Sequence, residues 1–271
     1  MIVVAHPGDE AFGFGGAIAQ AAASGAYVVI VCATRGHFDR RLLDRAPAPG
    51  GRNRSYTKPL VWRNLDTVRE DELRRSVALL GVRVLRMLDY AEEGLPTVSF
   101  DELVGRIVQP IRMHRPEVIL SFGPEGVTGD ADHVVLGRAV EAAFDRAAEP
   151  LAYEDDLEED QVAWRAAKLY HLVVPAAALT SLGSRAPDGY GSPDGYDTLT
   201  LDLGELAQLK LASIARHVSQ VGSSGPFHDW SPEVRDEFLA TEHYRLARSN
   251  LPVAPGSAGP PRESSLWDGL P

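Results

Sequence analysis

Two short polar clusters carry most of the chemistry visible in this sequence. The first, His6-Pro7-Gly8-Asp9-Glu10, directly follows the apolar run Ile2-Val3-Val4-Ala5, and the second, Gly129-Asp130-Ala131-Asp132-His133, lies one short loop after the apolar run at 117–122. In an open parallel sheet the ligand site lies outside the carboxyl ends of the strands, so polar residues that follow buried strands are the first candidates. An imidazole and a carboxylate from one turn, His6 and Asp9, with an imidazole from another, His133, are three donors of the kind that hold a catalytic zinc ion and leave a fourth position for water. Such a cation makes hydroxide available near neutral pH. Taken alone, a His three residues before an Asp is more often a capping carboxylate beside a surface imidazole, so the elements that position these residues decide between the readings.

The β-branched run at 2–5, closed by Pro7 and Gly8, reads as a strand buried on both faces. Residues 12–24 are Ala-rich with Gly25 behind them, which predicts a helix with a glycine stop, and 27–33 return to a β-branched run. The same alternation continues with a helix at 67–80, a strand at 82–88, a helix at 100–113, a strand at 117–122 and a helix at 131–148. Repeated strand, helix, strand predicts an α/β fold, a mostly parallel sheet with helices on both faces and right-handed crossovers. Both polar clusters then open on one edge of that sheet. The later part is less regular, with a strand at 168–174, a loop at 183–197 and a helix at 203–218. Segment 34–64, rich in Arg, Pro and Gly, is too long for an ordinary βα connection and reads as a functional or mobile loop.

A chain of 271 residues, 44% of them hydrophobic, can bury the core of one such domain. We expect a single domain over 1–251 and a Pro/Gly/Ser-rich tail or surface strap over 252–271. The formal net charge of -11 opposes affinity for nucleic acid or anionic membranes and suits a small neutral or cationic substrate. The single cysteine, Cys32, sits in a strand and excludes an internal disulfide. No apolar run reaches the roughly 18 residues of a membrane span, and no basic leader precedes the first strand, so a cytoplasmic protein is expected. A homo-oligomer stays open.

Taken together, Ala5-His6-Pro7-Gly8-Asp9-Glu10 and Gly126-Val127-Thr128-Gly129-Asp130-Ala131-Asp132-His133 resemble the LmbE-like (PIG-L) deacetylase family, whose usual motifs are A-H-P-D-D-E and G-H-P-D-H. The resemblance extends roughly to Arg248 and takes in Thr34-Arg35-Gly36, Arg69 with Glu72-Leu73, Leu80-Gly81-Val82 and His217-Val218-Ser219-Gln220. It implies a Rossmann-like fold and zinc-dependent hydrolysis of an N-acyl group, commonly on N-acetylglucosamine attached to a larger carrier. One zinc ion would be held by His6, Asp9 and His133. Arg69 matches a position that holds substrate, against the alternative of an i, i+3 ion pair with Glu72, and Glu92 falls in a segment that offers a carboxylate to sugar hydroxyls.

The departures fall on proton handling. Where the family has its general base the chain has Gly8, where it has the first His of G-H-P-D-H the chain has Asp130, and where an acidic residue often follows Thr-Arg-Gly the chain has His37. A missing general base costs on the order of 10²- to 10⁴-fold while metal activation of water persists. Asp130 and His37 are the candidates to take over. Glu10 is expected to orient a ligand or cap the next helix, and Asp132 is a weaker candidate for catalysis. Two other readings stay open: a catalytically impaired metal-binding protein that holds a sugar or a protein partner, and a dinucleotide-binding module suggested by Gly13, Gly15, Gly16 and Arg35. The latter fails on spacing, since G-x-G-x-x-G from Gly13 needs glycine where Ile18 stands. Of the other histidines, His114, His171 and His243 read as ordinary core or surface residues, His217 as a ring satisfied by a helix-end carbonyl or as part of the family pattern, and His228 as a pocket-rim residue.

Overall fold

The polar clusters stand where the chain leaves two central strands. The computed structural model describes residues 1–36, 65–154, 161–176, 191–193, 195–221, 231–252 and 261–271. In chain order the elements are β1 (Ile2–Val4), α1 (Asp9–Ala23), β2 (Val29–Thr34), α2 (Leu65–Leu79), β3 (Val84–Tyr90), α3 (Phe100–His114), β4 (Val118–Phe122), α4 (Ala131–Arg146), β5 (Lys168–Val173), β6 (Leu199–Asp202), α5 (Leu206–Ile214), α6 (Pro232–Ala240) and β7 (Thr241–Ser249). They form one sheet in the order β3-β2-β1-β4-β5-β7-β6. The first five are parallel, with Ile2 opposite both Ile30 and Leu120, and β7 runs antiparallel between β5 and β6. Helix α1 packs on α5, which also touches α2, while α3 packs on α4. The expected α/β class with a mostly parallel sheet is the observed one.

Burial follows position in the sheet. Every residue of β1, β2, β4 and β5 is buried, as strands covered by helices on both faces must be, whereas edge strand β3 is mostly half-buried. The sequence reading differs in three places. α1 begins at Asp9, three residues earlier than expected, because Gly8 at φ +110° turns the chain straight from β1 into the helix. The helix expected over 203–218 is shorter, because the chain leaves α5 at Ile214 and His217 turns into the interior. β6 and β7 were not anticipated. On β7 the inward positions are Glu242, Tyr244 and Leu246, so a buried carboxylate interrupts the apolar alternation that marks a strand.

That carboxylate fastens β7 to α1. Glu242 accepts from the backbone N–H of Gly16 at 2.7 Å and of Ala17 at 2.8 Å, from Tyr244 Oη at 2.7 Å and from Lys210 Nζ at 2.7 Å. The approach depends on small residues: a Cβ on Gly16 would run into the side chain of Leu203, and one on Gly13 would stand 2.6 Å from Leu172 Cδ2. Close packing therefore accounts for the glycines of α1, and Arg35 is engaged by Asp89 at 2.7 Å and Glu70 at 3.3 Å, so nothing here favours a dinucleotide. Residues 261–271 lie over β5 and β6, where Lys168 Nζ meets Glu263 at 2.8 Å and Leu266 enters the core. No helix among the described residues is long and apolar enough to cross a membrane.

His171 on β5 is buried, and burial, reinforced by the positive charges of Arg245 and Arg248, pushes its pKa down to about 4. Glu141 Oε1 stands 3.6 Å from its Nε2, too far and too exposed to offset that. The unfolded chain, with an ordinary imidazole near 6.5, binds the proton first, so this residue's contribution to stability is intact above pH 6.5 and is lost as pH falls towards 4. We expect His171→Gln to weaken the acid sensitivity of unfolding between pH 7 and 5 by about 1 kcal/mol per pH unit at most, read from urea midpoints. Equal slopes in the two proteins would refute this.

Candidate metal centre

His6 leaves β1 at the carboxyl edge of the sheet, Asp9 opens α1, and His133 stands in the first turn of α4. Three segments far apart in sequence thus meet at one point. His133 Nε2 is 3.2 Å from His6 Nδ1 and 3.3 Å from Asp9 Oδ2, and His6 Nδ1 is 3.6 Å from the same oxygen. Both imidazoles are buried.

The outward nitrogens fix the tautomers. His6 Nε2 lies 3.0 Å from Asp132 Oδ2, and His133 Nδ1 lies 3.3 Å from the carbonyl of Gly126. Carboxylate and carbonyl oxygens only accept, so each outward nitrogen carries the hydrogen and each inward nitrogen presents a lone pair. The His133 ring is also stacked on Phe122, with centroids 4.0 Å apart and planes 6° apart. Two imidazole lone pairs and a carboxylate oxygen in mutual contact require a positive charge between them. A tetrahedral cation with bonds of about 2.0–2.2 Å separates its ligand atoms by roughly 3.3–3.6 Å, and the observed separations of 3.2, 3.3 and 3.6 Å lie at or just below that range. Without a cation the centre holds protons instead. Burial alone would lower the pKa of His6, but the bond to Asp132 and the charges of Asp9, Glu92 and Asp130 outweigh it and raise it to about 9. His133 is raised too, against burial, chiefly by Asp9, and the two imidazoles hold the Asp9 carboxyl well below its ordinary range although burial opposes this.

Asp130 also offers a carboxylate oxygen within 4.8 Å of both imidazole donor atoms. Its Oδ1 accepts from the backbone N–H of Asp132 at 2.9 Å and of His133 at 3.1 Å, capping α4. Asp9 makes the tighter set with the histidines. Sequence reasoning underrated Asp132, which is 1% exposed and besides His6 receives Glu93 N at 2.7 Å and Leu95 N at 3.1 Å. Its place one residue before His133, in the first turn of a helix, was the available signal.

The two residues expected to hold substrate hold each other. Arg69 Nη1 binds both oxygens of Glu92, at 3.0 and 2.8 Å, and Nη2 donates to the carbonyl of Pro7 at 3.3 Å. The alternative Arg69–Glu72 pair is not the arrangement found, since Glu72 receives Ser219 N at 2.8 Å and Ser219 Oγ at 2.5 Å. His217 is fully buried with Nε2 2.6 Å from Glu10 Oε1, so its partner is a carboxylate rather than a helix-end carbonyl. Glu10 also accepts from Ser76 Oγ at 2.7 Å and, through Oε2, from Gly8 N at 2.8 Å. It braces the turn between His6 and Asp9. His37 and His228 lie outside the described residues.

The place of a side chain at position 8 is taken. A Cβ there would meet Gln220 Nε2 and Oε1 at 2.9 Å, and Oε1 is buried without a hydrogen-bond partner among the described residues.

Comparison with known proteins follows this geometry. The profile of the PIG-L family, described as GlcNAc-PI de-N-acetylase, matches residues 1–144. The chain belongs to this family. Over its whole length it is 30% identical to a 1D-myo-inositol 2-acetamido-2-deoxy-alpha-D-glucopyranoside deacetylase of Streptomyces griseus, covering 88% of that protein. It is 29% identical to the protein of the same name from Geodermatophilus obscurus, covering all of this chain and 97% of the relative. Among solved structures, the N,N'-diacetylchitobiose deacetylase of Pyrococcus horikoshii superposes with a TM-score of 0.68 at 20% identity, over 90% of this chain and 82% of that one. GalB, a 4-carboxy-2-hydroxymuconate hydratase of Pseudomonas putida, superposes with a TM-score of 0.62 at 18% identity, over 93% and 98%. The shared fold therefore supports more than one chemistry, and it is the sequence that places this chain among the deacetylases. It is a hydrolase of a metal-dependent family, which the readings as a binding protein or a dinucleotide module do not match.

Introducing a carboxylate at position 8 should disturb the centre. Gly8→Asp forces an L side chain to φ +110° and displaces Gln220, and we expect a loss of about 1–3 kcal/mol in urea unfolding. Gln220→Ala should recover part of that loss in a double-mutant cycle. Strict additivity of the two changes would contradict the contact described.

Proposed function

We propose that this protein removes an N-acyl group from an aminosugar conjugate by hydrolysis, at one divalent cation held by His6, Asp9 and His133. The convergence of two imidazole lone pairs and one carboxylate oxygen on a single point carries the reading. Two nitrogen donors and one oxygen donor suit zinc. When bound, such an ion supplies a polarised substrate carbonyl and a water that ionises near neutral pH.

The chain's own residues do the rest. Asp132 and the Gly126 carbonyl hold the imidazole rings in the tautomers that point both lone pairs inward. Asp130, within 4.8 Å of those donors, takes the proton of the attacking water on its carboxylate and returns it to the departing amine. The water oxygen thus ends on the acyl carbon and the proton on the sugar nitrogen, so the bond balance closes. Gly8 cannot serve in this step. His37 is the second candidate for it. Glu92, with 16% of its side chain exposed, accepts hydrogen bonds from sugar hydroxyls while Arg69 keeps it in place and steadies the Pro7 carbonyl. The names of the relatives, which specify 2-acetamido sugars on an inositol, support an aminosugar conjugate as the substrate class. We place the reaction in the cytoplasm.

Release of free amine from a panel of N-acylated aminosugars by the metal-loaded protein is the direct test, and no release from any of them would sink the hydrolase reading. Chelation should abolish turnover and added zinc should restore it. Asp9→Asn and His133→Ala should lose bound metal, measured by elemental analysis, together with activity. Asp130→Asn keeps an oxygen able to cap α4, so it should retain metal while kcat falls on the order of 10²- to 10⁴-fold. Unchanged kcat in that variant would remove Asp130 from the proton transfer.

A further inference from the structure

Beside the centre opens a cavity of about 510 Å³ whose lining includes Asp9 and His133. Its other walls are mainly apolar: Phe12, Phe122, Val127, Leu172, Val174 and Phe238. Of its further charged groups Glu237 is exposed, whereas the two buried ones are already satisfied. Lys210 and Glu242 pair with each other at 2.7 Å, each 2% exposed in its side chain, and Glu242 has three further donors in Gly16, Ala17 and Tyr244. His243, also in the lining, is held by Thr200 Oγ1 at 3.2 Å and Thr241 Oγ1 at 3.1 Å. Apart from Glu237, exposed at its edge, and Thr241, little in this wall can replace water around a sugar hydroxyl, and a hydroxyl buried against its apolar part would be left unpaired.

The cavity lies on one side of the centre only. Its walls come from α1, β4, β5, α5, α6 and β7, whereas the polar pair Arg69–Glu92 belongs to α2 and the turn after β3, at the other end of the strand order. The metal centre, at the ends of β1 and β4, stands between them. An amide carbonyl carbon bears two substituents that point apart, the acyl carbon and the nitrogen. With the carbonyl at the centre and the aminosugar towards Arg69–Glu92, the acyl group is directed into the apolar cavity. An acetyl methyl would leave most of 510 Å³ unfilled. Val127 adds a second sign that this wall is built for a purpose. It is held at φ 60° and ψ -56°, a conformation costly for a β-branched residue, and its side chain forms part of the lining.

We infer that the cavity bounded by Phe12, Phe122, Leu172, Val174 and Phe238 receives the acyl chain of the substrate, and that the preferred substrates are aminosugars carrying medium-length aliphatic N-acyl groups rather than N-acetyl alone. The inference rests on the hydrolase reading given above for its orientation of the substrate, and the tests below separate the two.

N-acetyl-, N-butanoyl-, N-hexanoyl- and N-octanoylglucosamine form the test series, with octyl N-acetylglucosaminide as the control that carries its chain on the other side of the amide. Each buried methylene contributes up to roughly fourfold, so kcat/KM should rise on the order of tenfold or more from acetyl to hexanoyl. Equilibrium binding is measured by calorimetry on chelated, non-turning protein, where the octanoyl compound should bind more tightly than both the acetyl compound and the octyl glycoside. Val174→Trp, which fills the cavity, should reduce the octanoyl-to-acetyl ratio in both measurements. Val174→Phe tests the same point with a smaller side chain should the tryptophan variant not fold. A flat or falling chain-length series, or tighter binding of the octyl glycoside, overturns the inference and leaves the hydrolase reading in place. Preferential binding of the octanoyl compound with no turnover of any member supports the inference and overturns the hydrolase reading.

Discussion

One buried carboxylate organises the catalytic edge of this protein. Asp132 orients the His6 ring and at the same time receives two backbone N–H groups from the turn after β3. A carboxylate that is 1% exposed is tolerable only when its oxygens are hydrogen-bonded. The end of β1, the start of α4 and the 93–95 turn are therefore held at fixed distances by a single group. Because Asp132 only accepts, it also settles which nitrogen of His6 faces inward, and with it the charge that the centre calls for. Removing it would free three segments at once.

A second layer of buried acids supports the same turn from the opposite face. Glu10 binds Gly8 N, Ser76 and His217, while Glu72 binds Ser219, so residues 217–220 are pinned between α1 and α2 and the Gln220 amide is laid over Gly8. The glycine is thus matched to its neighbour: its positive φ sets Asp9 against the histidines, and the space a side chain would fill is occupied from elsewhere in the chain. A side chain at position 8 would therefore meet Gln220 rather than an empty space.

The part of this legible in the sequence was the part governed by local rules. Unbroken apolar runs gave the central parallel strands, and polar residues directly after them gave His6, Asp9 and His133, which the structure brings together as read. Long-range pairing was not legible. β7 hid because Glu242, an inward residue, breaks the alternation, and its partners at Gly16 and Ala17 lie 226 and 225 positions away. Arg69 was weighed against Glu72 because helical spacing makes them neighbours, yet each finds a better partner on another segment, Glu92 and Ser219. For His217 local geometry offers a helix-end carbonyl beside the family pattern, and only the fold brings Glu10 within reach.

The separation of these partners also sets an order of events. The turn that carries His6 and Asp9 and the helix after it are braced by groups more than 200 residues further along the chain, His217 on Glu10 and Glu242 on Gly16 and Ala17. Contacts of such sequence separation form slowly, because the intervening loop must close before they reward it. During folding the bracing of His6 and Asp9 is thus completed only when the last antiparallel strand inserts beside β5. Affinity for the proposed cation is then expected to be a late marker of completed folding, acquired together with the C-terminal strands.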